Sequence, residues 1–198
     1  MSLSSKSSKR EQSHHRIVEV ASRAVRRHGC AGVGVAEVMK EAGLTHGGFY
    51  AHFGSRDALL VEAIEHAGGV SSAMLDERIA TRVQEGEAPL RALIALYLSD
   101  EQLTRPEEGC VVAALVGEMP RLDEVVRAAA GQRLDRLVRR VAAALPEGAQ
   151  PALAGVIAGA LLGNLQLARV HGDTQEGRAA LAAARELLVS LFIPAGET

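Results

Sequence analysis

The 198 residues are 47% hydrophobic, 23% charged and only 3% aromatic, which excludes a disordered chain, and no run of ~18 uninterrupted apolar residues marks a membrane span. The net charge of −2 hides an asymmetry: residues 1–54 hold eight Lys/Arg against four Glu, while the remainder carries 14 basic and 20 acidic residues. A basic N-terminal module on an acidic remainder points to a polyanion partner at one end only.

The opening MSLSSKSSKREQSHHR has no apolar stretch, so it reads as a flexible basic tail over residues 1–12 and not as a secretory leader. Ile17, Val20, Ala21, Ala24, Val25 and His28 then share one face of a helix that Gly29 stops. Val35, Val38, Met39 and Ala42 repeat the pattern in a short second helix closed by Gly43. A third short segment begins at Thr45, a good N-cap type, and turns Phe49 and Phe53 inward. Ser55 opens a longer helix striped by Leu60, Ala63, Ile64 and Ala67.

Further stripes follow at Leu90–Leu98 after Pro89, at Leu134–Leu145, and at Ala180–Leu191. No segment keeps a period of two. The chain reads as all-α, with about nine helices: a three-helix N-terminal domain over 13–67 and a helical remainder over 68–198. Arg133, Arg136, Arg139 and Arg140 read as a solvated helix face.

The run Ala152–Gly163 is small or apolar throughout and carries Gly155, Gly159 and Gly163 at four-residue spacing. Polar residues follow at once, so a dimer seam with close helix approach accounts for it better than a membrane span does. The seam is expected to include Gly155, Gly159, Gly163, Ala184, Leu187, Leu188 and Leu191.

Val35–Phe53, VAEVMKEAGLTHGGFYAHF, has the form of a helix-turn-helix. Gly43 permits the tight turn, and the second helix would enter a major groove with its first residues toward base edges. With both Phe side chains inward, Gly47, Tyr50 and Ala51 face outward, with His46 near the edge. Gly47 and Gly48 each cost about 1 kcal/mol of helix stability against Ala, so something else must fix the segment, and the two rings are the candidate anchors.

Residues 13–67, and above all EAGLTHGGFYAHFGSRDALL, resemble the DNA-binding domain of the tetracycline-repressor (TetR) family. The resemblance implies a ligand-responsive transcriptional regulator, binding a near-palindromic double-stranded DNA operator as a homodimer, and it favours a repressor over an activator. It implies that Thr45, His46 and Gly47 face base edges and that Tyr50, His52 and Arg56 touch phosphates. Val33-Gly34 departs from the Thr or Ser the family commonly has there, which removes one phosphate contact. Residues 68–198 would bind an unknown small-molecule effector and dimerise through the last two helices.

Pocket walls are expected around Leu93, Tyr97, Cys110, Leu115 and Met119, with Asn164 as a polar handle. Cys30 reads as core. The two cysteines are too few for a disulfide framework and fit a reducing cytoplasm. Cys110 also leaves open a thiol-based redox sensor. A helical adaptor without specific DNA binding is a further alternative. No motif joins a nucleophile to a base, and no cofactor or metal site is expected; Glu62, Glu65 and His66 share a helix but lack the second set a di-metal bundle needs.

Overall fold

The structure, a computed structural model, describes the backbone from Leu3 to Ile193 and the side chains from Lys9 onward. Among the described residues there are nine α-helices and no strand. They are α1 (Leu3–His28), α2 (Val35–Glu41), α3 (Arg56–Gln84), α4 (Pro89–Tyr97), α5 (Glu101–Thr104), α6 (Val111–Leu115), α7 (Glu124–Ala144), α8 (Leu153–His171) and α9 (Gln175–Phe192), with 3-10 turns at His46–Ala51 and Met119–Arg121.

Residues 3–12, expected as a flexible tail, instead extend α1 by almost three turns, and the side chains of Lys9–Gln12 stay exposed. The extension reaches the segment after the turn: Arg10 Nη2 donates to the Ala51 carbonyl at 2.7 Å. Gly29 ends α1 at φ +70, a left-handed backbone that favours glycine. Ser55 caps α3 by accepting from the Ala58 N–H at 3.1 Å.

The unit 13–67 packs α1 on the first half of α3 through Ile17, Val20, Ala21, Val25, Leu60, Ala63 and Ile64, all buried. No linker follows it. Helix α3 runs unbroken past residue 67 to Gln84 and lies against α4 and α7 in the second half of the chain. That half is a layered bundle of α3, α4, α7, α8 and α9.

Helix α8 is long and apolar enough, by length and composition, to cross a bilayer. Its arrangement is that of a bundle helix. Ala154, Ile157, Ala158, Leu161, Leu162, Leu165 and Ala168 recur at three- and four-residue intervals and are buried within the protein, where α8 packs on α7 and α9.

Candidate DNA-reading surface and ligand cavity

Phe49 and Phe53 are both 98% buried, their rings stacked 5.6 Å apart, and they fix the segment after the turn. His14 of α1 also stacks on Phe53 at 4.6 Å and bonds Glu62 of α3 through Nε2 at 2.6 Å. The His14–Glu62 bond leaves that carboxylate engaged with α1. The anchored segment is a 3-10 turn, not an α-helix, and Thr45 precedes it without a side-chain capping bond. Two successive glycines, Gly47 and Gly48, weaken α-helix formation there, consistent with the tighter turn.

Thr45, His46, Gly47 and Ala51 are exposed, and Tyr50 keeps 75% of its surface in solvent with its ring edge-on to Phe49. These residues form one outward patch. Two other expected contacts are placed differently. His52 is half-buried and its Nδ1 is buried without a hydrogen-bond partner; burial first, then His14 and Arg10, lower its pKa. Arg56 folds inward: Nε donates to the Val33 carbonyl at 3.0 Å and Nη2 to that of Cys30. The α1–α2 loop leaves those carbonyls outside any helix ladder, and the guanidinium satisfies them.

The second half contains a cavity of about 510 Å³ between α3, the end of α4, the α5–α6 segment and α7. Of the six residues expected to line a pocket, Tyr97 and Cys110 do so. Leu93 and Leu115 are instead wholly buried core, and Met119 is buried outside the cavity wall. Asn164 does not reach the cavity; its Nδ2 donates to the Ala160 carbonyl one turn earlier on α8. Apolar periodicity marks which residues are inside but not where helices diverge enough to leave a space.

The arginine row on α7 is also corrected. Arg136 and Arg139 are exposed, but Arg133 is only 6% exposed and Arg140 18%, and both line the cavity. Arg133 Nη2 donates to the Glu65 carboxylate and, at 2.6 Å, to the Glu65 carbonyl. Gly68 makes room for it: a Cβ there would lie 2.5 Å from Arg133 Cδ and 2.7 Å from Nε. Arg140 makes a two-pronged pair with Asp76 at 2.6 and 2.8 Å. No spacing in α7 distinguishes these two arginines from their exposed neighbours; the missing signal is Gly68 on the facing helix.

The expected seam residues divide. Gly155, Gly159 and Gly163 are exposed, with nothing within 4 Å of an added Cβ, and Leu187 and Leu191 are exposed beside them on α9. Ala184 and Leu188 turn into the chain's own core instead. Val156, Leu167 and Val170 extend the exposed apolar face of α8.

The family described as bacterial regulatory proteins, tetR family, matches residues 17–63. The match covers the N-terminal unit, which is thus similar to the DNA-binding domain of that family. No curated protein matches the sequence, but many solved structures share the fold. A TetR-family regulator from Agrobacterium tumefaciens superposes with a TM-score of 0.77 at 20% identity, covering 92% of this chain and 98% of that one. The regulatory protein TetR from Rhodobacter sphaeroides gives 0.75 at 23% identity, with 91% and 99% covered. The reduced form of Escherichia coli NemR gives 0.74 at 19%, with 91% and 98% covered. The chain therefore has the fold of TetR-family transcriptional regulators along most of its length, and DNA binding and ligand response are typical of that family.

The two halves are also clasped at one corner. Glu118, just beyond α6, accepts from the Cys30 N–H at 3.0 Å and the Ala31 N–H at 3.5 Å. Gly29 is required twice, for its backbone and because an added Cβ would strike the Glu118 carboxylate. Arg27 and Glu107 add an ion pair at 3.1 Å. Cys30 is buried, and burial with Glu118 beside it pushes its thiol up to about 11, so it stays protonated and inert.

Proposed function

We propose that the chain is a cytoplasmic, homodimeric transcriptional repressor that a small-molecule effector releases from a near-palindromic operator. The observation that carries this reading is the outward patch of Thr45, His46, Gly47 and Tyr50, held on two buried phenylalanines in the basic part of the chain. Base edges would meet the first three and a phosphate the Tyr50 hydroxyl. The exposed faces of α8 and α9 support the dimer, because Gly155, Gly159 and Gly163 lack the side chains that would hold a second helix away.

The cavity supplies a place for the effector. Its walls include α3, which continues into the reading domain, and Val111 and Val112 of α6, which is followed by the Glu118 clasp. An effector that favours one arrangement of these helices shifts the spacing of the two reading surfaces. A thiol response at Cys110 is a second reading, favoured by its place on the cavity wall beside Tyr97; it requires that Cys110→Ser abolish release by oxidants.

The test is binding of the full chain to mixed-sequence duplex DNA between ~50 and ~200 mM salt. A regulator that neutralises several phosphates loses affinity steeply over that range. A weak, flat response contradicts the reading and favours a helical adaptor on the same scaffold.

A further inference from the structure

We infer that the cavity takes an uncharged, largely apolar organic molecule, because each charged side chain on its wall already has its counter-charge. This rests on the reading of the cavity as the effector site. It concerns the ligand's chemistry, which neither the fold nor the relatives specify.

The first argument is a balance of charge. Among the described residues, the charged groups on the wall are Arg78, Arg105, Arg133, Arg140, Glu101 and Glu108. The exposed ones pair with one another, Arg78 with Glu101 at 2.6 Å and Arg105 with Glu108 at 3.5 Å. The two more buried arginines pair with carboxylates of α3. Arg133 meets Glu65, and Arg140 meets Asp76 through two bonds of 2.6 and 2.8 Å. Tyr97 also lines the cavity, and burial raises its pKa, so the phenol stays neutral. The wall carries no charge without its opposite.

The second argument is what a charged ligand would meet. A carboxylate reaching Arg133 or Arg140 comes up against Glu65 or Asp76, which already engages that guanidinium. It must give up its hydration and displace a like charge, an exchange that adds no ion pair. An ammonium fares worse. In each of these pairs the arginine lines the cavity and its carboxylate does not, so an entering cation faces a guanidinium. An uncharged molecule leaves all four pairs intact.

The third argument is the rest of the wall. Leu75, Leu96, Val111, Val112 and Leu137 give an apolar surface, and a cavity of about 510 Å³ falls within the range that holds a drug-sized molecule. Ser71 lines the cavity too, and its hydroxyl donates to the Ala67 carbonyl at 2.9 Å. Its oxygen is left as an acceptor, which suits a ligand hydroxyl or amide N–H.

The test uses the full chain and three matched probe series: 1-butanol to 1-decanol, butanoate to decanoate, and butylamine to decylamine. Thermal melting and titration calorimetry are read at about pH 7.5, where the acids and amines are ionised. The inference expects a mid-length alkanol to bind at least tenfold more tightly than its carboxylate, with the amine weakest. A general preference for apolar probes would show the same order, so a variant separates the two. Asp76→Asn leaves Arg140 unpaired on the wall and is expected to strengthen the carboxylate at least fivefold while the alkanol stays within twofold. Adding Arg140→Gln to it removes both charges and should return the carboxylate to its original weakness. Glu65→Gln, which unpairs Arg133 in the same way, serves should Asp76→Asn fail to fold. Carboxylates or amines that bind as tightly as alkanols and release DNA overturn the inference but leave the effector site standing. So does an unpaired arginine that brings no gain in carboxylate affinity. No binding by any probe of any charge overturns both.

Discussion

The two ends of this protein are built on opposite plans. The reading end presents small and polar side chains on a segment whose rigidity comes from rings beneath it, Phe49, Phe53 and His14. The sensing end hides its charges: Arg133 and Arg140 sit against a cavity, with carboxylates on the outer side. The division fits the proposed roles: a surface that meets a rigid partner benefits from an immobile support, whereas a cavity that responds to a ligand needs helices able to shift. The contrast yields predictions of decreasing size.

The reading end is most easily broken from below. Phe49→Ala removes a buried ring and is expected to destabilise by about 3–5 kcal/mol, seen as a loss of the folded baseline in urea melts. A change in the urea midpoint too small to exceed error would show that the ring anchors nothing. Next comes the clasp between the ends. Glu118→Ala leaves the Cys30 and Ala31 N–H groups without their acceptor, at a cost of about 1–3 kcal/mol. It is expected to weaken the coupling of effector to DNA more than effector binding itself, as isothermal titrations with and without DNA can show.

The exposed patch responds differently. Tyr50→Ala removes a side chain that lies mostly in solvent, so stability should move by less than about 0.5 kcal/mol. DNA affinity should fall by roughly ten- to a hundredfold, as for one hydrogen bond to a charged group. Gly159→Leu adds bulk where the protomer has open space, so it should leave the melting of a protomer intact and lower the dimer fraction in sedimentation.

The smallest effect is a pH slope. Burial lowers the pKa values of His52 and His66 from the ordinary 6.5, so both resist protonation in the folded chain. Their contribution to stability is fully present above that ordinary value and is lost as pH falls through the lower folded values. Urea midpoints should therefore drop between pH 7.5 and 5.5, and less so in His52→Gln combined with His66→Gln.

The reading end was largely legible in the sequence because its information is local. The turn at Gly43, the two Phe at four-residue spacing and Ser55 lie in one continuous stretch, and periodicity with capping chemistry places them. Arg56 escaped, since its partners, the Cys30 and Val33 carbonyls, belong to a distant loop. The bond from Arg10 on the α1 extension escaped for a similar reason, because the Ala51 carbonyl it meets lies 41 residues away. In the sensing end the apolar stripes gave the helices, but Leu93 and Leu115 were indistinguishable from cavity walls. The burial of Arg133 depends on Gly68, a residue 65 positions earlier with no sequence mark of its purpose. Sites made by one segment can be read from spacing; sites made between helices require the packing.

The most direct test of the account is selection of bound duplexes from a random DNA pool by the full chain, followed by sequencing of the enriched pool. The account predicts a near-palindrome with two half-sites about one helical turn apart, ~34–36 Å, or a multiple of it, enriched less strongly when Tyr50 is replaced by Ala. A pool that stays random at low salt, or a single half-site with no repeat, would contradict the dimeric DNA-reading regulator proposed here.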